Sequence, residues 1–126
     1  MMLLDTHVVA WLYSGDTGRF PAAAARRLEQ DDLAVSPLVG LELQYLHEIG
    51  RVSEPADADL AALARATGLR TVDCSLVELI GHASGFDWTR DPFDRLIAAH
   101  ATVEQAPLLT ADRHLHAHLP LAVWEG

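Results

Sequence analysis

The feature that most constrains the fold of this chain is a regular alternation of short apolar segments with longer helical ones. Each predicted strand is separated from the next by at least one helical segment, and this order favours a parallel sheet. The strands are predicted at residues 1 to 4, 33 to 35, 69 to 72, 107 to 110 and 121 to 124. The predicted fold class is therefore α/β, a central parallel sheet flanked by helices on both faces.

Capping residues, prolines and glycines mark the ends of the predicted helices. Ser36 and Pro37 provide an N-cap and a first-turn proline for a helix that runs to about Ile49. Gly68 ends a second helix over residues 56 to 67. The other helices are predicted at residues 7 to 13, 21 to 28, 76 to 83, from 92 onward, and 112 to 118.

Length and composition predict one globular domain over residues 1 to 126. There are no repeats or linker-like stretches, and no apolar run approaches the ~20 residues needed to cross a bilayer. The first residues lack a basic segment and carry Asp5, so no secretory signal is predicted. The single cysteine, Cys74, fits a reducing compartment. We therefore expect a soluble, cytoplasmic protein that has no membrane partner.

The charge of the chain is strongly negative, at −9. This balance argues against indiscriminate binding to nucleic acid, which depends on basic surface. All nine basic residues are arginine. Arginine offers a planar fork suited to phosphate, although codon usage in a GC-rich genome explains the bias equally well.

Four carboxylates lie far apart in the sequence, but each falls where a strand ends or a helix turns inward, a pattern that predicts one acidic pocket. Asp5 and Asp112 follow predicted strands, whereas Glu42 and Asp94 lie on predicted helices. In open parallel sheets the ligand crevice lies beyond the carboxyl ends of the strands, where strand order reverses. A cluster of carboxylates without Cys or convergent His favours hard cations such as Mg²⁺ or Mn²⁺. Such sites commonly carry out phosphodiester chemistry.

Helix capping is the structural alternative for several of these acids. Asp5 and Asp112 each precede a predicted helix, where a carboxylate accepts hydrogen bonds from free backbone N–H groups. Asp91, followed by Pro92, is a common helix start. Asp94 would then lie in the first turn of that helix, where the helix dipole favours an acid. These alternatives remain open at the level of sequence.

Glu42 fits a structural role less well. At about 100° per residue it projects from the middle of an apolar stripe rather than from a polar face. That stripe consists of Leu38, Leu41, Tyr45, Leu46 and Ile49. A buried carboxylate costs several kcal/mol unless it is paired, protonated or bound to a metal. Pairing with an arginine is the alternative to a metal.

Asp94 shows a weaker form of the same misfit. It stands at the border of the apolar stripe of its helix, beside Phe93 and Ile97. That stripe is predicted to comprise Phe93, Leu96, Ile97 and Ala101.

Four segments together resemble the PIN-domain ribonucleases, and most closely the VapC toxins of bacterial toxin–antitoxin pairs. They are LLDTH (3 to 7), SPLVGLELQYL (36 to 46), RDPFDRLIAAHA (90 to 101) and LLTADRHL (108 to 115). The resemblance covers nearly the whole chain and is specific as a set. It implies a compact, PIN-like α/β domain, in agreement with the alternation of strands and helices.

The resemblance also implies roles for individual residues. Asp5, Glu42, Asp94 and Asp112 match the acids that hold Mg²⁺ or Mn²⁺ in the family, where the ion activates water for attack on RNA. Cleavage of this kind leaves 3′-hydroxyl and 5′-phosphate ends. Asp91 is an outer-shell or capping candidate, and Thr110 a candidate for orienting a ligand or a water. The implied partners are a structured RNA such as tRNA, a VapB-like antitoxin and a second copy of the chain.

Three arginines near the proposed ligands are candidates for contacting phosphate: Arg90, Arg95 and Arg113. Salt bridges or solvated positions are the alternative and are slightly favoured. Trp11, Leu12 and Tyr13 would offer apolar surface to a partner, although core packing is the commoner fate of such side chains.

Other sequence features point to different classes of protein, but they support those classes only weakly. His114, His116 and His118 suggest a transition-metal site, but only the first and last share a helical face. A receiver domain would need a lysine, which the chain lacks, and no GxxxxGK phosphate loop is present. The main alternative is a non-catalytic module of the same fold that binds RNA or protein.

Overall fold

A computed structural model describes residues 1–125 of the chain. The strands are Met2–Leu4 (β1), Leu33–Val35 (β2), Arg70–Thr71 (β3), Leu108–Leu109 (β4) and Ala122–Val123 (β5). The helices are Thr6–Ser14 (α1), Ala22–Gln30 (α2), Pro37–Glu48 (α3), Ala56–Thr67 (α4), Leu76–Ala83 (α5), Pro92–Glu104 (α6) and Arg113–His118 (α7). A short 3-10 helix, Thr17–Arg19, was not predicted.

All five strands are parallel and lie in the order β3-β2-β1-β4-β5. Leu3 in the central strand faces Ala34 on one side and Leu108 on the other. The chain runs outward from β1 to β3, then returns to the far side of β1 for β4 and β5. Because crossovers between parallel strands are right-handed, this reversal places helices on opposite faces of the sheet. The α/β prediction with a central parallel sheet is confirmed.

The local signals in the sequence position the helices closely. The Ser36 hydroxyl accepts the Leu38 N–H at 3.3 Å, directly before Pro37 at the start of α3. Gly68 ends α4 in the left-handed region, with φ +77°, which glycine adopts without steric cost. The outer strand β3 is shorter than predicted and its residues are exposed.

Apolar side chains from β1, β2 and β4 form the centre of the core, packed against the helices. Met2, Leu3 and Leu4 are all fully buried, as are Leu108 and Leu109. Burying one such side chain contributes about 1.5–3 kcal/mol. The strand ends that follow these segments are therefore held on a rigid base. Among residues 1–125, no helix is long and apolar enough to cross a bilayer.

The predicted apolar stripe on α3 is wrong for three of its five residues, since Leu38 is half-buried and Leu46 is buried. Leu41, Tyr45 and Ile49 are 59%, 49% and 50% exposed. The buried face of α3 instead comprises Val39, Glu42, Leu43 and Leu46. The reason is that α3 packs against α1, α4 and α6, and these neighbours cover the side that carries Val39, Leu43 and Leu46. Glu42 is nevertheless buried, as predicted.

The predicted stripe on α6 is closer to the structure. Ile97 and Ala101 are buried, whereas Phe93 and Leu96 are half-buried. The packing of α5 on α6 also buries residues 98 to 100, so the second half of α6 is enclosed on most sides.

Candidate metal centre

Asp5 and Thr110 join the carboxyl ends of the two strands at which the sheet order reverses. The backbone N–H of Asp5 donates to the Leu109 carbonyl at 3.0 Å. The Thr110 hydroxyl donates to Asp5 Oδ2 at 2.6 Å, and both residues are buried. Asp5 also caps α1, because its Oδ1 accepts the Thr6 N–H at 2.8 Å. Helix capping therefore explains the role of Asp5 Oδ1 but leaves Oδ2 outside the cap.

Glu42 reaches the same crevice from α3. Its Oε1 accepts the Thr6 hydroxyl at 2.5 Å, and the carboxyl group is buried beside the first turn of α1. Among residues 1–125 no arginine lies within ion-pair distance of Glu42. Arginine pairing, the alternative left open by the sequence, therefore does not explain this buried acid.

Asp94 enters the crevice from the first turn of α6. Asp91 is the N-cap of that helix, since its Oδ1 accepts the N–H groups of Phe93 at 2.8 Å and Asp94 at 3.3 Å. The cap fixes the first turn and with it the starting point of the half-buried Asp94 side chain. The expectation that Asp91 caps the helix is confirmed.

Asp112 lies beyond β4 at the start of α7. Its Oδ1 accepts the N–H groups of His114 at 2.7 Å and Leu115 at 3.1 Å. The Asp112 N–H donates to the Thr110 hydroxyl oxygen at 3.0 Å. Thr110 therefore links Asp112 to Asp5, and the second carboxylate oxygen of Asp112 takes no part in the cap.

The acids influence one another electrostatically. Burial, followed by the charges of Asp91, Asp5, Asp112 and Glu42, raises the pKa of Asp94 to about 7. Burial also raises the pKa of Asp5 and of Glu42; the charge of Asp112 adds to the first shift, and the charges of Asp5 and Asp91 add to the second. Mutual shifts of this kind require the carboxylates to lie near one another.

The four carboxylates lie near one another but do not form a tight cluster. Among residues 1–125, no three of the four offer oxygen atoms that all lie within 4.8 Å of one another. The hydroxyls of Thr6 and Thr110 and the cap of α7 hold individual carboxylates in place. Mg²⁺ commonly uses one or two carboxylates and keeps several waters, so an open, oxygen-only set is suited to it. The residues present therefore fit a hard divalent cation.

The three candidate arginines differ in their surroundings. Arg95 donates from Nε to the Thr89 carbonyl at 2.8 Å, and Arg90 donates from Nη1 to the Asp87 carbonyl at 3.1 Å. Both hydrogen bonds hold the loop before α6, and this agrees with the alternative that Arg90 and Arg95 have a structural role. Arg113 is exposed in the first turn of α7. Phosphate contact remains a prediction for all three.

The histidines of α7 pack rather than converge on a metal. The ring of His118 stacks on Trp88 at 5.1 Å with an interplanar angle of 8°. His116 donates from Nε2 to the Thr110 carbonyl at 2.6 Å, which requires the tautomer protonated at Nε2. Within the described residues, His114, His116 and His118 form no three-ligand group. His116 instead steadies the strand end that carries Thr110.

Two residues that organise the centre were not predicted as site residues. Thr6 orients Glu42, and His116 supports Thr110. Thr6 follows Asp5 directly within the LLDTH segment, so its position was a usable signal. His116 carried none, because its contact depends on how α7 folds back on β4.

Trp11 is half-buried in an aromatic cluster with Phe20 and Trp124, at centroid separations of 6.4 and 6.2 Å. The Arg19 guanidinium lies 4.8 Å from the Trp11 ring centroid. Tyr13 is at the surface. Leu12 packs against the core and Trp11 packs within the aromatic cluster, whereas Tyr13 remains available to a partner.

Comparison with known proteins gives consistent matches along the chain. The family model described as PIN domain matches residues 2–118. The chain is 34% identical over 133 residues to Ribonuclease VapC22 of Mycobacterium tuberculosis, and the alignment covers 98% of both.

Similar solved structures include a toxin–antitoxin complex from Klebsiella pneumoniae, with a TM-score of 0.69, 17% identity and 100% and 98% of the two chains covered. Another is VapBC2 from Rickettsia felis bound to a DNA fragment from its promoter, with a TM-score of 0.69, 21% identity and coverage of 97% and 95%. At these identities the structural matches show the fold alone.

Proposed function

The chain belongs to the PIN-domain family, and we propose on that premise that it is a metal-dependent endoribonuclease hydrolysing RNA phosphodiester bonds. The observation that supports this most directly is the convergence of four acids from distant parts of the chain. The charges of Asp5, Glu42 and Asp112 contribute to the raised pKa of Asp94, which lies where the strand order of the sheet reverses. No internal cation neutralises Glu42 among residues 1–125.

We propose that Asp5, Glu42, Asp94 and Asp112 hold Mg²⁺ or Mn²⁺. Such an ion, when bound, polarises the phosphate and lowers the pKa of water. Side chains of the protein position the carboxylates that would bind the ion. Thr6 and Thr110 fix the orientation of Glu42 and Asp5 through hydrogen bonds at 2.5 and 2.6 Å, and such supporting contacts commonly alter metal affinity or activity 10–100-fold.

The N-caps of α6 and α7 serve the same purpose for the other two acids. Asp91 fixes the turn that carries Asp94, and Asp112 is held by the helix it caps. The four acids therefore lie on helices or at helix N-caps rather than on free loops. A site supported in this way holds its geometry before the substrate arrives.

We further propose that the protein is the toxin of a VapBC-type pair, neutralised by a VapB-like antitoxin in the cytoplasm. The support is the identity to a VapC ribonuclease over nearly the full length and the similarity to chains within VapBC complexes. Co-expression with the product of a neighbouring gene should yield a complex that cleaves no RNA. Activity that is unaffected by any such partner would contradict the toxin assignment.

A homodimer is also proposed. Leu41 and Tyr45 on α3 and Ile49 at its C-cap follow one another at four-residue spacing, and all three are exposed. Contiguous exposed apolar patches mark sites of protein contact. We therefore assign this row, hereafter the α3 row, to the contact with a second copy.

Cleavage of structured RNA tests the proposed activity. Purified protein with Mn²⁺ is incubated with tRNA, and the ends are sequenced; 3′-hydroxyl and 5′-phosphate products are expected. Asp5→Asn and Glu42→Gln should abolish cleavage. Asp16→Asn, which changes an exposed acid paired with Arg19, is the matched control and should retain it.

The same experiment separates the enzyme from a non-catalytic module of the same fold. A binding module would retain RNA in a gel-shift assay, produce no new ends, and tolerate both substitutions. That result would overturn the proposed function.

A further inference from the structure

Three potential metal ligands come together on the side of the molecule formed by α5 and α6. Cys74 lies in the segment between β3 and α5, and His100 and Glu104 are one turn apart on α6. The sulfur, a ring nitrogen and a carboxylate oxygen all lie within 4.8 Å of one another. Within residues 1–125 this is the one group of three that meets that distance.

His100 is the residue whose environment calls for an explanation. It is 0% exposed, and neither of its ring nitrogens has a hydrogen-bond partner within residues 1–125. Its Nε2 lies 3.6 Å from Glu104 Oε1, within ion-pair distance but longer than a hydrogen bond. Burial lowers the pKa of His100 and so disfavours the charged imidazole that an ion pair needs. Buried polar groups are nearly always bonded, and an unsatisfied one costs about 1–3 kcal/mol. A ligand between these atoms would remove that cost.

The three donors differ chemically from the acid centre. Thiolate sulfur and imidazole nitrogen suit zinc and related borderline cations, whereas carboxylates alone suit magnesium. A tetrahedron with nitrogen and oxygen at about 2.0–2.1 Å from zinc has an edge of about 3.3 Å. The observed separation of 3.6 Å between His100 Nε2 and Glu104 Oε1 is close to that edge.

The position is also distinct from the acid centre. His100 and Glu104 follow Asp94 on α6, and at 1.5 Å per residue they lie about 9 and 15 Å further along the helix axis. One ion cannot serve both groups.

A nucleophilic thiol is a poorer interpretation of the same residues. Burial, with the charges of Glu104 and Glu78, raises the pKa of Cys74. Reactive cysteines have lowered pKa values and positive surroundings, whereas a thiol that binds a metal releases its proton when the metal binds. Burial lowers the pKa of His100, which favours the neutral imidazole that coordinates metals.

We propose that Cys74, His100 and Glu104 form a second metal site that binds a divalent cation of the zinc class, with water as the fourth ligand. The ion ties the segment before α5 to the second half of α6. The site does not depend on the nuclease assignment, since none of its ligands belongs to the acid centre.

Cobalt titration of the full chain tests this site. The protein is stripped with chelator and titrated with Co²⁺, whose bond to thiolate gives a charge-transfer band in the near ultraviolet. We expect the band to appear at one equivalent and to vanish when Zn²⁺ displaces the cobalt. Zn²⁺ should also raise Tm by mass action.

Variants show which residues produce the charge-transfer band. Cys74→Ser should abolish it, and Glu104→Gln should weaken Co²⁺ binding by about tenfold or more, since even indirect supporting groups have effects of that size. Glu78→Gln removes a nearby exposed carboxylate outside the group and is the matched control. Asp94→Asn, in the acid centre, should also leave the band unchanged.

Absence of the band in the wild-type protein would overturn the proposal. So would equal Co²⁺ affinity of Glu104→Gln and Glu78→Gln. If Cys74→Ser proves to be unfolded by circular dichroism, the wild-type band and the Glu104→Gln to Glu78→Gln comparison decide the question, because both glutamates have side chains that reach the surface.

Discussion

Thr110 donates its hydroxyl to Asp5 at 2.6 Å and so joins two strand ends that are 105 positions apart in the chain. The same hydroxyl oxygen accepts the N–H of Asp112 at 3.0 Å. One small side chain thus sets the relative position of two of the four acids. Metal binding and catalysis should therefore depend on a residue that carries no charge.

Thr110→Val tests this dependence. The substitution keeps the shape of the side chain but removes the hydroxyl, so Asp5 loses the hydrogen bond that orients it. We expect Mn²⁺ affinity and RNA cleavage to fall by about 10–100-fold, measured by calorimetric titration and initial rates. Thr102→Val is the matched control, because the Thr102 hydroxyl bonds only to the Ala98 carbonyl within α6. Equal effects of the two substitutions would contradict a specific role for Thr110.

Asp94→Asn should stabilise the metal-free protein. Burial and four neighbouring acids disfavour the Asp94 carboxylate, and the neutral amide removes that repulsion. In chelator at pH 8 we expect Tm to rise by about 4 °C or more, the shift that 1 kcal/mol produces in a domain near this size. Mn²⁺ should raise Tm of the wild type and have little effect on the variant. A lower Tm for the variant in chelator would show that Asp94 is not under repulsion.

The stability of the metal-free protein should also depend on pH in a defined direction. The pKa of Asp94 is raised from 3.8 to about 7 in the folded protein, so the folded state holds this proton more tightly than the unfolded state. The stabilising contribution is present below about pH 4 and is lost as pH rises to about 7. The pKa values of Asp5 and Glu42 are shifted in the same direction.

Thermal scans in chelator between pH 4 and 8 measure this dependence. The Tm advantage of Asp94→Asn over wild type should grow up to about pH 7 and then stay constant. An advantage that is the same at every pH would assign the effect of the substitution to packing instead.

The α3 row should control self-association. Leu41→Glu combined with Ile49→Glu places two charges on the exposed row without disturbing the core, so the fold should be retained. Light scattering should give twice 13.7 kDa for the wild type and one chain mass for the variant. Ala61→Glu, on the exposed side of α4, is the control and should remain dimeric. A wild type of single-chain mass at high micromolar concentration would contradict the homodimer.

Much of the fold was predictable because local signals agree with the global structure. The helix over 56 to 67 and the strand at 33 to 35 have the predicted bounds, since capping residues, Gly68 and a short apolar run each act locally. The carboxyl ends of β1 and β4 could be assigned to one crevice on the same basis. The resemblance to the PIN-domain family then identified the four acids as candidate metal ligands, and in the structure they lie near one another.

The features that the sequence did not predict depend on long-range packing. The periodicity rule assumes that large apolar side chains face inward, but Leu41, Tyr45 and Ile49 face outward. The Cys74, His100 and Glu104 group was missed for a similar reason. The segment carrying Cys74 meets α6 only when α5 packs against it, and no spacing in the sequence encodes that contact.

The most direct test of the acid centre is a crystal of the protein soaked in Mn²⁺ and measured for anomalous scattering. We predict a peak bordered by the carboxylates of Asp5, Glu42, Asp94 and Asp112, with metal–oxygen distances of about 2.0–2.3 Å to those that bind directly. A well-occupied manganese peak elsewhere, or none at millimolar Mn²⁺ in a crystal with this crevice open to solvent, would contradict the account.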